Sequence, residues 1–204
     1  MTDLLKEFPE ADQHALLASR GFGNAFGALW VERDDLDQVA HLLHADAGTR
    51  RDATLEEAVR RSPGPADASA AATPVWLGPH SSGWSVVVNL APVGGSVGDR
   101  ALWSQGRRAL EVSWLWEIDG LYDLPYFQDG QLLEELPAFW NGHLDEGSVF
   151  APYVSGLDRD YGDDDGEEQL AHAFLTVVGR ITGRFLDDAW FRTPGRVYDL
   201  LPAD

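Results

Sequence analysis

Residues 109–118, ALEVSWLWEI, alternate Val112, Trp114, Trp116 and Ile118 against Ser113, Leu115 and Glu117. Side chains of a strand point to its two faces in turn, so this pattern predicts a strand with one aromatic face. Such a face has to be covered by a second layer, which excludes a bundle of helices alone. GWSVVVNLAP at 83–92 predicts another strand, and the run Val86-Val87-Val88 implies burial on both faces. AFGALWV at 25–31 has strand-like aromatic and β-branched content. LYDLPYFQDGQLLEEL at 121–136 carries Asp129-Gly130 between two strand-like runs, and Gly there accepts the positive φ of a hairpin turn.

Helical spacing appears elsewhere. ADQHALLAS at 11–19 reads as a short amphipathic helix stopped by Gly21. Asp34 or Asp35 opens a helix whose Leu36, Val39, Ala40 and Leu43 share a face. Thr54 and Glu57 form a capping-box pattern ahead of Leu55, Ala58 and Val59. Residues 97–108 read as helical, with a basic end suited to the helix dipole. In residues 167–183, Leu170, Phe174, Val177, Val178 and Ile181 line one side and Gly183 ends the helix. LDDAWF reads as a terminal turn or strand, and 137–166 as loop. The expectation is an α+β fold: an antiparallel sheet with hairpin connections, packed by N-terminal and C-terminal helices. The 204 residues suit a single domain, 1–204, with the Pro/Ala-rich stretch 62–74 as a flexible loop.

Four segments resemble, in order, a bacterial family known as a domain of unknown function and common in actinobacteria. FGALWVERDDLDQVAHLLHAD resembles its opening strand, turn and helix. GWSVVVNLAPVGGS resembles its "GWtvllEpnG" strand, RALEVSWLWEIDGLYDLPYFQDGQLLEEL its "DG" hairpin, and AFLTVVGRITGRFLDDAWF its closing "alaeritG" helix. Where that family carries a carboxylate after the apolar triplet this chain has Asn89, and Pro92-Val93-Gly94 replaces its Asn-Gly. The resemblance implies a fold and a soluble bacterial protein, and no particular activity.

The chain has no cysteine, which excludes disulfides, thiolate metal sites and a cysteine nucleophile, and fits a reducing cytoplasm. It has no apolar run of about 18 residues for a membrane helix, and its start has no secretory apolar region. Its formal net charge is −19. Lys6 is the single lysine, a bias that a GC-rich genome produces by codon usage. The charge is nevertheless local, since residues 119–168 hold 14 acids against Arg159 alone. Such a chain repels phosphate backbones and anionic lipid, so no nucleic-acid or membrane partner is expected.

Several residue groups invite a chemical reading. His41 and His44 share a helix turn, but no third ligand falls at matching spacing, so they read as surface histidines. RGFGNAFG puts Phe26 where a phosphate loop needs its third Gly, and a strand follows it. His80 with Ser81 and Ser82 lacks a nucleophile elbow and an acid partner. DRDYGDDDGEE at 158–168 fails the EF-hand template and reads as a solvated acidic loop, with a looser cation site on Asp158, Asp160, Asp163 and Asp165 as the alternative. No catalytic residue, metal or cofactor is assigned.

The leading expectation is a non-catalytic acidic interaction module, in its sharpest form an immunity or antitoxin protein, that binds a basic protein partner through 119–168. Its aromatics Tyr122, Tyr126, Trp140, Tyr153 and Tyr161 would supply desolvated contact. Asp123, Asp129, Asp145 and Glu146, with Asp158, Asp160, Asp163, Asp164 and Asp165, would steer association. The alternative is a small-molecule-binding protein or enzyme with a Trp-lined pocket, reached by His80, Asn89 or His143.

Overall fold

A computed structural model describes residues 4–62, 73–91, 105, 107–138, 143–157 and 166–200 of the chain. The alternating and apolar runs become strands of one antiparallel sheet. In chain order they are β1 (Ala25–Val31), β2 (Arg51–Thr54), β3 (Thr73–Ser81), β4 (Trp84–Asn89), β5 (Arg108–Leu115), β6 (Gly120–Leu121), β7 (Leu124–Gln128), β8 (Gln131–Leu136) and β9 (Pro194–Leu200). The sheet order is β2-β9-β3-β4-β1-β5-β7-β8, with short β6 paired to β5. The helices are α1 (Gln13–Leu17), α2 (Leu36–Leu42), α3 (Leu55–Arg61), α4 (Gly166–Thr182) and α5 (Asp188–Phe191). The chain is therefore an α+β protein whose antiparallel sheet is flanked by N-terminal and C-terminal helices.

Burial divides the sheet into two faces. Phe26, Ala28 and Trp30 of β1 join Trp76, Val86, Val88, Val112 and Trp114 in the larger core, beneath Phe174, Val177 and Val178 of α4. Leu29, Val31, Val75, Leu77 and Val87 point the other way, onto Val39 and Ala40 of α2 and Leu43 at its C-cap. All six residues of β4 are buried, as the valine run requires. The face of α4 picked out by its spacing is buried, but so are Ala171, Leu175 and Thr176. α1 packs against α4 from outside the sheet, and the Gln13 N–H donates to His172 Nδ1 at 3.0 Å.

Local chemistry sets the helix ends. Asp35 accepts from the N–H groups of Asp37 and Gln38, and Thr54 and Glu57 close both bonds of the capping box. Gly183 leaves α4 with φ 83°. Asp129 and Gly130 both have positive φ, the backbone of a type I′ hairpin turn between β7 and β8.

Four expectations change. The aromatic strand stops at Leu115, because Trp116–Asp119 form a turn that carries the chain through Gly120 into β6. Arg108 is already strand, and Gln105 and Arg107 are a turn and a bend; the rest of the helix expected over 97–108 lies outside the described residues. Of the loop expected over 62–74, Ser62 caps α3 and Thr73-Pro74 begin β3, while 63–72 lie outside the described residues. LDDAWF contains a helix, α5, because Asp187 accepts from the Trp190 N–H at its start.

Candidate functional site

The N-terminal segment, α1 and the loop after α4 line an open groove. Arg180 of α4, only 4% exposed, holds the N-terminal segment in place. Its Nε donates to the Glu7 carbonyl at 3.1 Å, and its Nη1 donates to the carbonyls of Tyr153 and Ser155 at 2.6 and 2.9 Å. The guanidinium also lies 4.8 Å from the centre of the Phe8 ring. Burial without a carboxylate partner lowers the Arg180 pKa.

The opposite wall is tied down as firmly. Arg184 donates through Nη1 to the His80 carbonyl at 2.9 Å and through Nη2 to Asp187 at 3.2 Å. Asp187 also accepts from the Trp190 N–H at 2.6 Å. Gln13 bridges the two walls: its Nε2 donates to the Leu186 carbonyl and its Oε1 accepts the Leu186 N–H.

Between these walls lies an open groove of about 600 Å³. Leu4, Phe8, Leu16, Phe185 and Leu186 give it an apolar lining. Glu7, Glu10, Asp187, Asp188 and Arg184 give it charge, four carboxylates against one guanidinium. Asp188 is paired with Arg20 at 2.6 Å. Glu7 and Glu10 have no ion-pair partner among the described residues. The sequence reading missed this site. Its two halves, Leu4–Ala11 and Arg184–Asp188, each place apolar residues among acids, but nothing local says that they meet.

The candidates around His80 are buried instead. His80 is 2% exposed, and its Nε2 lies 2.9 Å from Thr182 Oγ1 and 3.2 Å from the Arg184 carbonyl. The Thr182 hydroxyl donates to Val178, so it accepts from His80. Both neighbours being acceptors, the proton sits on Nε2. Burial, with Arg184 nearby, drives the His80 pKa down to about 3. Ser81 donates to the Thr182 carbonyl, so the two side chains fasten β3 to the end of α4. Trp30 and Trp190 stand edge-on to the His80 ring at 6.0 and 6.4 Å. Trp30, Trp76, Trp114 and Trp190 are all fully buried, so these indoles fill the core and line no open pocket. Asn89 accepts from the Ala91 N–H, and His143 is exposed in the loop beyond β8.

The acidic region divides between core and surface. Tyr126 is 6% exposed and meets the buried Phe150 ring edge-on at 5.9 Å, so its aromatic contact is made inside the molecule. Tyr153 is half-buried and packs on the same core. Asp123 accepts from the Ala138 N–H at 2.7 Å, and Asp129 shapes the hairpin turn. Tyr122 is exposed and donates its hydroxyl to Asp119, which raises its pKa. Asp145 and Glu146 are exposed. Trp140, Asp158, Asp160, Tyr161, Asp163, Asp164 and Asp165 lie outside the described residues.

His41 and His44 are exposed, and among the described residues no group of three or more His, Asp and Glu side chains is placed to hold a metal ion. No described helix is long and apolar enough to cross a membrane. No family model, curated protein or solved structure matches the chain. The family resemblance therefore rests on its motifs alone.

Proposed function

We propose that the protein binds a small molecule, an organic cation with an apolar body, in the groove between its N-terminal segment and the 184–188 loop. The observation that carries this reading is the groove itself: about 600 Å³, lined by apolar and polar surface in nearly equal measure and predominantly anionic at its charged positions. Small-molecule sites fall at about 300–1,000 Å³ and combine apolar lining with a few polar groups. Arg180, Gln13 and Arg184 fix the walls before any ligand arrives, so less ordering has to accompany binding. Glu7 and Glu10 supply charge that no described neighbour neutralises, which favours a cation over an anion. Cytoplasmic residence and a partner other than nucleic acid belong to the same proposal, from the cysteine-free, acidic composition.

Octylamine, octanol and octanoate share one body and differ in head group, so they separate charge from apolar affinity. Titration followed by two-dimensional NMR is expected to show saturable binding of the amine at Phe8, Phe185 and Leu186, weaker binding of the alcohol and none of the carboxylate. The pair Glu7→Gln with Glu10→Gln is expected to erase the preference for amine, and Phe8→Ala to weaken all binding by about tenfold through lost apolar contact. Equal binding of all three probes, or of none, would overturn the proposal.

A further inference from the structure

The two ends of the sheet are finished differently. β2 is a four-residue edge, flanked by an ion pair of Arg50 with Asp52 at 3.4 Å, and it runs directly into α3. β8 is a six-residue edge with no strand on its outer side among the described residues. Gln131, Leu132, Leu133 and Glu135 are exposed, and each of the two leucines is 46% accessible. Tyr126 faces Glu134 and Phe127 faces Leu132, so Leu133 is the extra residue of a bulge.

An open edge is a template for another strand, and proteins guard it with charge, bulges or cover. The guards here have one sign. Residues 109–157 contain nine acids and neither lysine nor arginine. Glu134 is already occupied, accepting from Ser148 Oγ at 2.6 Å and from the Val149 N–H at 2.8 Å. Glu135 and the turn residue Asp129 remain beside the leucines. A second copy brought edge to edge would set acids against acids. A basic strand meets the opposite situation, since its charges complement the edge and its apolar residues find Leu132 and Leu133.

We infer that the outer edge of β8 takes up an extended, basic segment of a protein partner as an added strand. Backbone hydrogen bonds would supply affinity and the alternation of basic and apolar side chains the selectivity. This surface is separate from the groove between the N-terminal segment and the 184–188 loop, and stands or falls independently of it.

The test uses the full chain and two labelled hexapeptides, one alternating Val and Lys, the other with proline in place of each valine. Both carry the same charge, but the second lacks half the backbone donors. The Val/Lys peptide is expected to bind saturably and at least about tenfold more tightly than the Pro/Lys peptide, as strand addition requires. Its binding is expected to slow amide exchange across Gln131–Leu136. Leu132→Lys and Glu135→Lys, both at exposed positions, are expected to abolish this binding, whereas Phe8→Ala in the groove leaves it unchanged. Equal affinity for both peptides would reduce the effect to bulk charge and overturn the inference. So would protection away from β8, or a dimer of the chain that Leu132→Lys dissociates while neither peptide binds.

Discussion

The side chain of Gln13 pairs with the backbone of Leu186 as a neighbouring strand would, its Oε1 accepting the Leu186 N–H at 2.8 Å and its Nε2 donating to the Leu186 carbonyl at 3.1 Å. The two residues are 173 positions apart, and Gln13 is fully buried. Removing the amide leaves a buried donor and a buried acceptor unsatisfied. Gln13→Leu is therefore expected to cost about 2–4 kcal/mol, and Gln13→Glu at least as much at neutral pH, because it buries a carboxylate against the Leu186 carbonyl. Urea unfolding of the two variants checks this. A loss below about 1 kcal/mol for Gln13→Leu would mean that water replaces the clamp.

The Trp76 indole lies against two glycines, Gly78 of its own strand and Gly195 of the neighbouring β9. A Cβ on Gly78 would meet the indole at 2.2 Å, and one on Gly195 at 2.6 Å. The indole N–H donates to the Ala53 carbonyl at 3.0 Å, so the ring cannot swing aside without breaking that bond. Gly78→Ala is expected to destabilise by about 2–3 kcal/mol through overpacking. Combining it with Trp76→Phe is expected to recover part of that loss, since the smaller ring leaves room for the methyl group. Strictly additive costs in a double-mutant cycle would show that the contact is not the cause.

The same glycines explain what the sequence concealed. β3 was unreadable because Pro74, Gly78 and Pro79 look like loop residues, whereas Gly78 gives the close approach that a buried indole requires. β2 and β9 pair across 140 to 146 positions, and neither has a long enough apolar alternation to stand out. β1, β4, the Asp129-Gly130 hairpin and α4 were legible, because periodicity and turn chemistry are local. The groove was not, since it is made by bringing Phe8 against Arg180 and Gln13 against Leu186. Tyr126 shows the converse error: an aromatic in an acidic stretch reads as surface until pairing with Glu134 and contact with Phe150 place it in the core.

Glu32 and Arg108 lock the end of β1 to the start of β5. Arg108 donates to Glu32 through Nη2 at 2.7 Å and Nε at 3.1 Å, and its guanidinium sits 5.1 Å from the centre of the Trp84 ring. The hydrogen bond from Arg108 holds the Glu32 carboxyl below its ordinary value of 4.5. A depressed carboxylate stabilises the fold above its unfolded pKa and loses that contribution as pH falls through the folded one. Glu32→Gln is expected to cost about 1–2 kcal/mol at neutral pH, a figure kept low because both side chains retain some contact with water. That cost is expected to shrink in acid below 4.5, the ordinary carboxylate value. Unfolding of wild type and variant at matched pH values reads the difference, and a pH-independent gap would remove the charge from the explanation.

His80 titrates in the same direction, over a different window. Its pKa falls from 6.5 to about 3 because the ring is buried beside Arg184. Above 6.5 it is neutral in both folded and unfolded chains and adds no pH dependence. Between 6.5 and about 3 the unfolded chain takes up a proton that the folded chain refuses. Stability therefore falls with pH across that window, by up to about 1.4 kcal/mol per pH unit. His80→Gln retains a donor for the Arg184 carbonyl and has no proton to gain. Its unfolding free energy is expected to decline less than the wild type's as pH is lowered from neutral toward the middle of that window, while the carboxylates elsewhere titrate alike in both proteins. Urea midpoints measured in parallel decide the point: identical pH slopes would mean that the folded chain accepts the proton on His80 as readily as the unfolded one.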